Sequence, residues 1–125
     1  MIVGTGIDLC EVGRMREAIE RHGQRLLDRV FTGREIAYAE RKANRYERYA
    51  ARFAAKEAGM KALGTGWRGG IAWTDIEVVR DPSGQPGIKL TGECARVAEQ
   101  LGIVHWHVSL SHIETHATAS AIGSK

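Results

Sequence analysis

The chain has 125 residues, 43% of them apolar and 26% charged, with a formal net charge of +3. That balance fits one folded unit with its own core, and excludes both a disordered polyelectrolyte and a scaffold that needs disulfide staples. No apolar run approaches the roughly 20 residues of a bilayer span, the first residues lack the pattern of a secretion signal, and Cys10 and Cys94 show no paired spacing, so a reduced, cytoplasmic setting is expected.

"MIVGTGIDLCEV" predicts an opening strand, because Ile, Val and Leu run through it and Gly4 and Gly6 disfavour a helix. Residues 14 to 30 carry helical spacing: Met15, Ile19, Leu26 and Val30 share one face. Arg14, Arg21, Arg25 and, more loosely, Arg29 fall on the other, with Gly23 a possible break. Thr32 with Glu35 three residues on predicts a capping box. Tyr46 to Leu63 is the strongest helical segment, and "GTGWRGG" ends it. Strands around "DIEVVRD" and "GIKL" flank a turn at "PSGQPG". A helix over residues 91 to 102 opens at Thr91 and sets Cys94, Val97, Ala98 and Leu101 on one side.

"VHWHVSLSH" alternates: Val104, Trp106, Val108 and Leu110 point one way, while His105, His107, Ser109 and Ser111 point the other. "HATASAI" returns as its neighbour. The order predicts an α+β fold, a single domain over residues 1–125 with a largely antiparallel sheet packed against helices.

Charge is unevenly spread. Residues 14 to 61 hold 13 Lys or Arg against 7 Asp or Glu, and the rest of the chain 5 against 8. This suits an anionic partner, although a solvated helical surface explains the same bias.

Two carboxylates stand where apolar residues belong. Glu57 falls inside a helical stripe of Tyr46, Tyr49, Ala50, Phe53, Met60 and Gly64. There it loses hydration and needs a compensating cation or donors. Asp8 sits between Ile7 and Leu9; alone, it reads equally well as a turn-capping aspartate. Brought together, the two would repel without a cation, and Mg²⁺ suits few carboxylates with phosphate and water in its remaining positions. Arg52, Lys56 and Lys61 on the same helix, with backbone N–H groups of the Gly64–Thr65–Gly66 turn, suit phosphate. Neither G-x-G-x-x-G nor G-x-x-x-x-G-K-[ST] is present. His105, His107, His112 and His116 lie within twelve residues, but parity separates His112 from the first two and no cysteine cluster supports zinc. The polar strand face is then either solvated or directed at a phosphate-bearing substrate, with His107 as donor or proton acceptor.

Three blocks, in order, carry a resemblance: "GTGIDLCEVGRM", "RFAAKEAGMKALGTG" and "HVSLSH", with "FTGREI" between the first two. Together they cover most of a chain that resembles the holo-acyl-carrier-protein synthases, the small bacterial type of 4′-phosphopantetheinyl transferase. The resemblance implies Mg²⁺-dependent transfer of 4′-phosphopantetheine from coenzyme A to a serine of apo-acyl carrier protein, releasing adenosine 3′,5′-bisphosphate, in fatty acid biosynthesis. It implies Asp8 and Glu57 as metal ligands and catalytic residues. Lys61, Arg52, Thr65, Gly66 and His107 would contact coenzyme A, with Glu57 or His107 assisting deprotonation of the serine. Acyl carrier proteins are acidic, so Arg14, Arg21 and Arg25 become a docking face, Arg14 first because it follows the first block. The resemblance also implies a homotrimer with sites at subunit boundaries, where Asp8 and the Glu57 helix can come from different subunits.

Two other readings remain at this stage. A small basic RNA-binding module fits the clustered arginines, three tryptophans and three tyrosines, but lacks any RNP, KH or zinc-finger pattern and leaves both carboxylates unexplained. A zinc-dependent hydrolase built on the histidines lacks a ligand triad.

Overall fold

The computed structural model describes residues 1–66 and 70–125. The opening strand β1 (Ile2–Glu11) pairs antiparallel with the last, β5 (His116–Ser124), which pairs antiparallel on its other side with β4 (His105–His112). β5 is therefore the centre of a three-stranded sheet of order β1-β5-β4. The hairpin of β2 (Ile76–Arg80) and β3 (Pro86–Leu90) forms a separate two-stranded sheet. Its turn is held by the Asp81 carboxylate, which accepts from the backbone N–H groups of Ser83 and Gln85 at 2.9 and 3.0 Å.

Helix α4 (Arg45–Leu63) crosses the three-stranded sheet and is buried almost all round. Its alanines favour a helix and are small enough to bring its backbone down onto the strands. Ala54, Ala55 and Ala58 pack with Ala119 and Ala121 of β5. At β1 the approach is closer still. A Cβ on Gly4 would lie 2.0 Å from the Ala62 carbonyl oxygen, and one on Gly6 1.9 Å from that of Ala58. These glycines serve backbone-to-backbone packing, and this seam sets β1 against α4.

The 14–30 segment starts at Val12 and divides at Gly23 (φ 60°) into α1 (Val12–His22) and α2 (Gln24–Val30). Met15, Ile19, Leu27 and Val30 are buried, with Leu26 half-buried. The capping box at Thr32 and Glu35 forms as expected and opens α3 (Gly33–Glu40). Gly64 ends α4 in the left-handed region; Trp67, Arg68 and Gly69 of the terminating run lie outside the described residues. α5 (Gly92–Leu101) buries Cys94 and Ala98, but Thr91 makes no side-chain cap bond and Leu101 stays exposed. No helix among the described residues is long and apolar enough to cross a membrane.

Candidate active site

Because β1 alternates, the residues on the side of Gly4 and Gly6 face α4, and Asp8 is the next after them in that row. Asp8 and Glu57 therefore lie on the same side of β1 and act on each other within one chain. The Glu57 carboxyl is pushed above its ordinary value by burial first and by Asp8 second, with Lys61 opposing. The same field reaches Cys10, one strand period beyond Asp8. Burial, then Asp8, Glu11 and Glu57, raise its thiol to about 11, so it stays protonated at neutral pH. Lys61, one turn after Glu57, places Nζ 3.2 Å from Asp8 Oδ1 and 2.9 Å from the Ile7 carbonyl oxygen. Among the described residues the two carboxylates thus face one ammonium, that of Lys61.

The turn after Lys61 carries Gly64 (φ 74°), half-buried Thr65 and Gly66 (φ 56°), where the backbone conformation disfavours larger residues. On the other side of the carboxylates, a cavity of about 390 Å³ opens between α1, α2 and β1, lined by Cys10, Arg14, Met15, Phe31, Phe53 and His116 among others. Arg14 lines this cavity with Cys10, the next residue after Asp8 in its row, and its Nε lies 3.9 Å from Glu11. Arg21, Arg25 and Arg29 are exposed along the same two helices, and Arg25 and Arg29 share a second, shallower groove with His22 and Leu26.

Lys56 is no phosphate contact. Its ammonium is fully buried, 2.7 Å from Glu35 Oε1, on the α3 and β2 side of α4. Arg52 also turns away from the Glu57 stripe: 2% exposed, it stacks its guanidinium 4.0 Å from the Tyr38 ring centroid, and its Nε has no hydrogen-bond partner among the described residues. Around that ring gather Arg41, Lys42, Arg48 and Arg80, the Arg48 Nη1 donating to the Tyr38 hydroxyl at 3.2 Å. Partial burial alone would raise the Tyr38 phenol, but Arg80, Arg48, Arg52 and Lys42 outweigh it and hold it below the usual tyrosine value. Sequence reasoning missed this basic cluster; the i, i+4 spacing of Arg48 and Arg52 was its one local trace.

The histidine strand alternates as expected, but its polar face is the outer one. His107 pairs across to Ile122 in the row that contains Thr5, opposite the α4 side, and its Nε2 lies 3.3 Å from Ser124 Oγ. Within one chain it is therefore on the far side of the sheet from Asp8. His112 has the other parity and sits 2.8 Å from Glu47. Among the described residues no group of three or more His, Cys, Asp or Glu converges as a metal site, so a histidine-based zinc centre has no support.

The family model described as the 4′-phosphopantetheinyl transferase superfamily matches residues 4–121. A relative from Solibacter usitatus (strain Ellin6076), named holo-[acyl-carrier-protein] synthase, is 54% identical over 122 residues, covering 98% of each chain. The crystal structure of holo-[acyl-carrier-protein] synthase from Neisseria meningitidis superposes with a TM-score of 0.90 at 30% identity over 100% of both chains. That of the Bacillus anthracis enzyme, in complex with CoA (3′,5′-ADP), has a TM-score of 0.79 at 33% identity, covering 98% of this chain and 96% of that one. None of these relatives supports the RNA-binding reading. With a match that spans nearly all of its length and all three sequence blocks, the chain belongs to the holo-[acyl-carrier-protein] synthases of the 4′-phosphopantetheinyl transferase superfamily.

Proposed function

We propose that the protein transfers 4′-phosphopantetheine from coenzyme A to a serine hydroxyl of apo-acyl carrier protein, in the cytoplasm and in the service of fatty acid biosynthesis. The observation that carries this reading is the Asp8–Glu57 pair, two carboxylates that face the single ammonium of Lys61 among the described residues, one turn before the Gly64–Gly66 turn. The complex of the Bacillus anthracis relative with CoA supports the donor.

The pair fits Mg²⁺: two hard oxygen donors, one with its pKa raised by burial and by the other, with Lys61 opposing. Asp8 and Glu57 would hold the ion, which when bound neutralises charge on the diphosphate. Lys61 would exchange its contact with Asp8 for a phosphate oxygen, and Thr65 and Gly66 would present the turn to the same group. The Tyr38 cluster, with Arg52, Arg48 and Arg80, would take the remaining phosphate at the nucleotide end. Of the two proton acceptors the resemblance offers, Glu57 is the one on the Asp8 side. In the transfer, the serine oxygen forms a bond to the phosphorus of the pantetheinyl phosphate. The diphosphate P–O bond breaks, adenosine 3′,5′-bisphosphate departs, and the serine proton passes to the acceptor. Arg14, Arg21 and Arg25 would dock the acidic carrier.

A homotrimer accounts for the outer sheet face. Ile7 and Leu9 are 67% and 65% exposed there, alongside His107. Such a face asks for a cover, and a second copy would bring its His107 toward a neighbour's site. The test combines apo-acyl carrier protein, coenzyme A and Mg²⁺, with the carrier weighed by mass spectrometry. A phosphopantetheine increment that EDTA, Asp8→Ala and Glu57→Ala each remove is expected. Activity surviving both substitutions would refute the metal pair, and mixed His107→Ala and Glu57→Gln proteins should regain activity only if subunits share sites.

A further inference from the structure

A buried ion pair stands one residue along α4 from Glu57, on the α3 and β2 side of the helix. Lys56 Nζ lies 2.7 Å from Glu35 Oε1, 2.5 Å from the Ile76 carbonyl oxygen and 3.2 Å from that of Trp73, so all three of its N–H donors are used. Glu35 is equally committed: Oε1 also accepts from the Thr32 N–H at 2.9 Å, and Oε2 from the Val78 N–H at 2.8 Å. One pair thus bolts the middle of α4 to the start of α3, to β2 and to the short 3-10 turn Trp73–Asp75.

On the opposite side of α4 the side-chain ties lie toward its ends, where Glu47 meets His112 and Lys61 reaches Asp8 and the Ile7 carbonyl oxygen, and none holds its middle. There its backbone rests on Gly4, Gly6 and the alanines of β5. That smooth seam fixes the distance between helix and sheet but has few interlocking side chains to fix rotation about the helix axis. Lys56 and Glu57 are consecutive, about 100° apart around that axis. Whatever sets the direction of Lys56 therefore sets that of Glu57. The held turn also carries the Trp73 ring, 4.9 Å from Phe53, which lines the cavity beside Cys10.

We propose that Lys56, through its saturated pair with Glu35, is a positioning residue for the reaction: it sets the roll of α4 that aims Glu57 at Asp8. The role rests on the transferase reading above. Stability alone does not require it, because a buried ion pair replaced as a whole by uncharged residues of similar volume often leaves a fold as stable as before.

The experiment compares wild type with Lys56→Met and with the double variant Lys56→Met/Glu35→Gln, which leaves no unpaired buried charge. Melting temperature with and without Mg²⁺ is read beside kcat and the KM for carrier. The double variant should regain most of the melting temperature that Lys56→Met loses, while kcat stays down by about 100-fold, the scale of an ångström-level misplacement. KM for carrier should remain near wild type, and the rise in melting temperature with Mg²⁺ should shrink. Recovery of kcat together with melting temperature would overturn the proposal, because Glu57 would then be aimed without the pair; a double variant that does not fold would overturn it too, by making the pair a folding requirement. Wild-type protein that transfers nothing would instead refute the transferase reading, and the Mg²⁺-dependent melting shift still tests the aim of Glu57.

Discussion

Gly6→Ala is the sharpest perturbation of the seam that brings Asp8 to Glu57. Its new Cβ would fall 1.9 Å from the Ala58 carbonyl oxygen, 2.8 Å from the carbonyl carbon and 3.0 Å from the Ala62 nitrogen. All three are backbone atoms, so no rotamer change relieves the clash. An ordinary C···O contact is about 3.3 Å, so β1 and α4 must separate by roughly 1.4 Å at this point. Overpacking of this kind costs about 3 kcal/mol, the upper part of the usual range. For a chain of this size that lowers the melting temperature by about 10 °C. The same movement carries Glu57 from Asp8, so transfer to apo-carrier, followed by mass spectrometry, should slow by about 100-fold. Gly13→Ala is the control: nothing lies within 4 Å of its added Cβ, and it sits inside α1. It should leave activity unchanged and gain about 0.5–1 kcal/mol of stability. A Gly6→Ala protein that melts within about 2 °C of wild type and turns over normally would refute the backbone-contact account.

Glu57→Gln tests the raised pKa of this carboxyl. The folded protein holds the Glu57 proton above the ordinary value of 4.5, so the stability that proton supplies is full below 4.5 and lost as pH rises through the folded value. Metal-free Glu57→Gln should therefore melt higher than wild type at pH 8, match it near pH 4, and lose the Mg²⁺-dependent rise; equal melting curves at pH 8 would count against the carboxylate repulsion. Arg14→Glu should raise the KM for carrier several-fold at low salt and much less at high salt, where screening removes long-range attraction. Salt-independent kinetics would remove Arg14 from the docking face.

Much of the fold was legible because its signals are local. The capping box at Thr32, the glycine after Leu63 and the alternation of residues 104–111 each depend on neighbours a few positions away. The meeting of Asp8 with Glu57 was not, because it depends on Gly4 and Gly6 letting a helix some 50 residues later sit on the strand, a contact with no periodic trace. Lys56 misled for a related reason: on a helix rich in basic residues its charge reads as surface, and its partner Glu35 was already accounted for by the capping box. Parity grouped His107 correctly with His105, Ser109 and Ser111, but the face that α4 covers is set by strand order. The cations around Tyr38 come from α4, β2 and the segment between α3 and α4, and only the folded chain assembles them.

The central position of β5 has a consequence for the order of events during synthesis. Ile2 pairs with Ser124 and Asp8 with Ala119, so β1 has no strand partner until the ribosome has added more than a hundred further residues. At about 5–20 residues per second this is a wait of roughly 5–20 s. Throughout it Ile7 and Leu9 lie in an unpaired segment, and Asp8 waits for its place beside Glu57 until the last strand arrives. The chemistry of the N-terminal block is thus armed by the C-terminal one. Deletion of residues 116–124 should leave a nascent chain that is both inactive and prone to associate through its first strand.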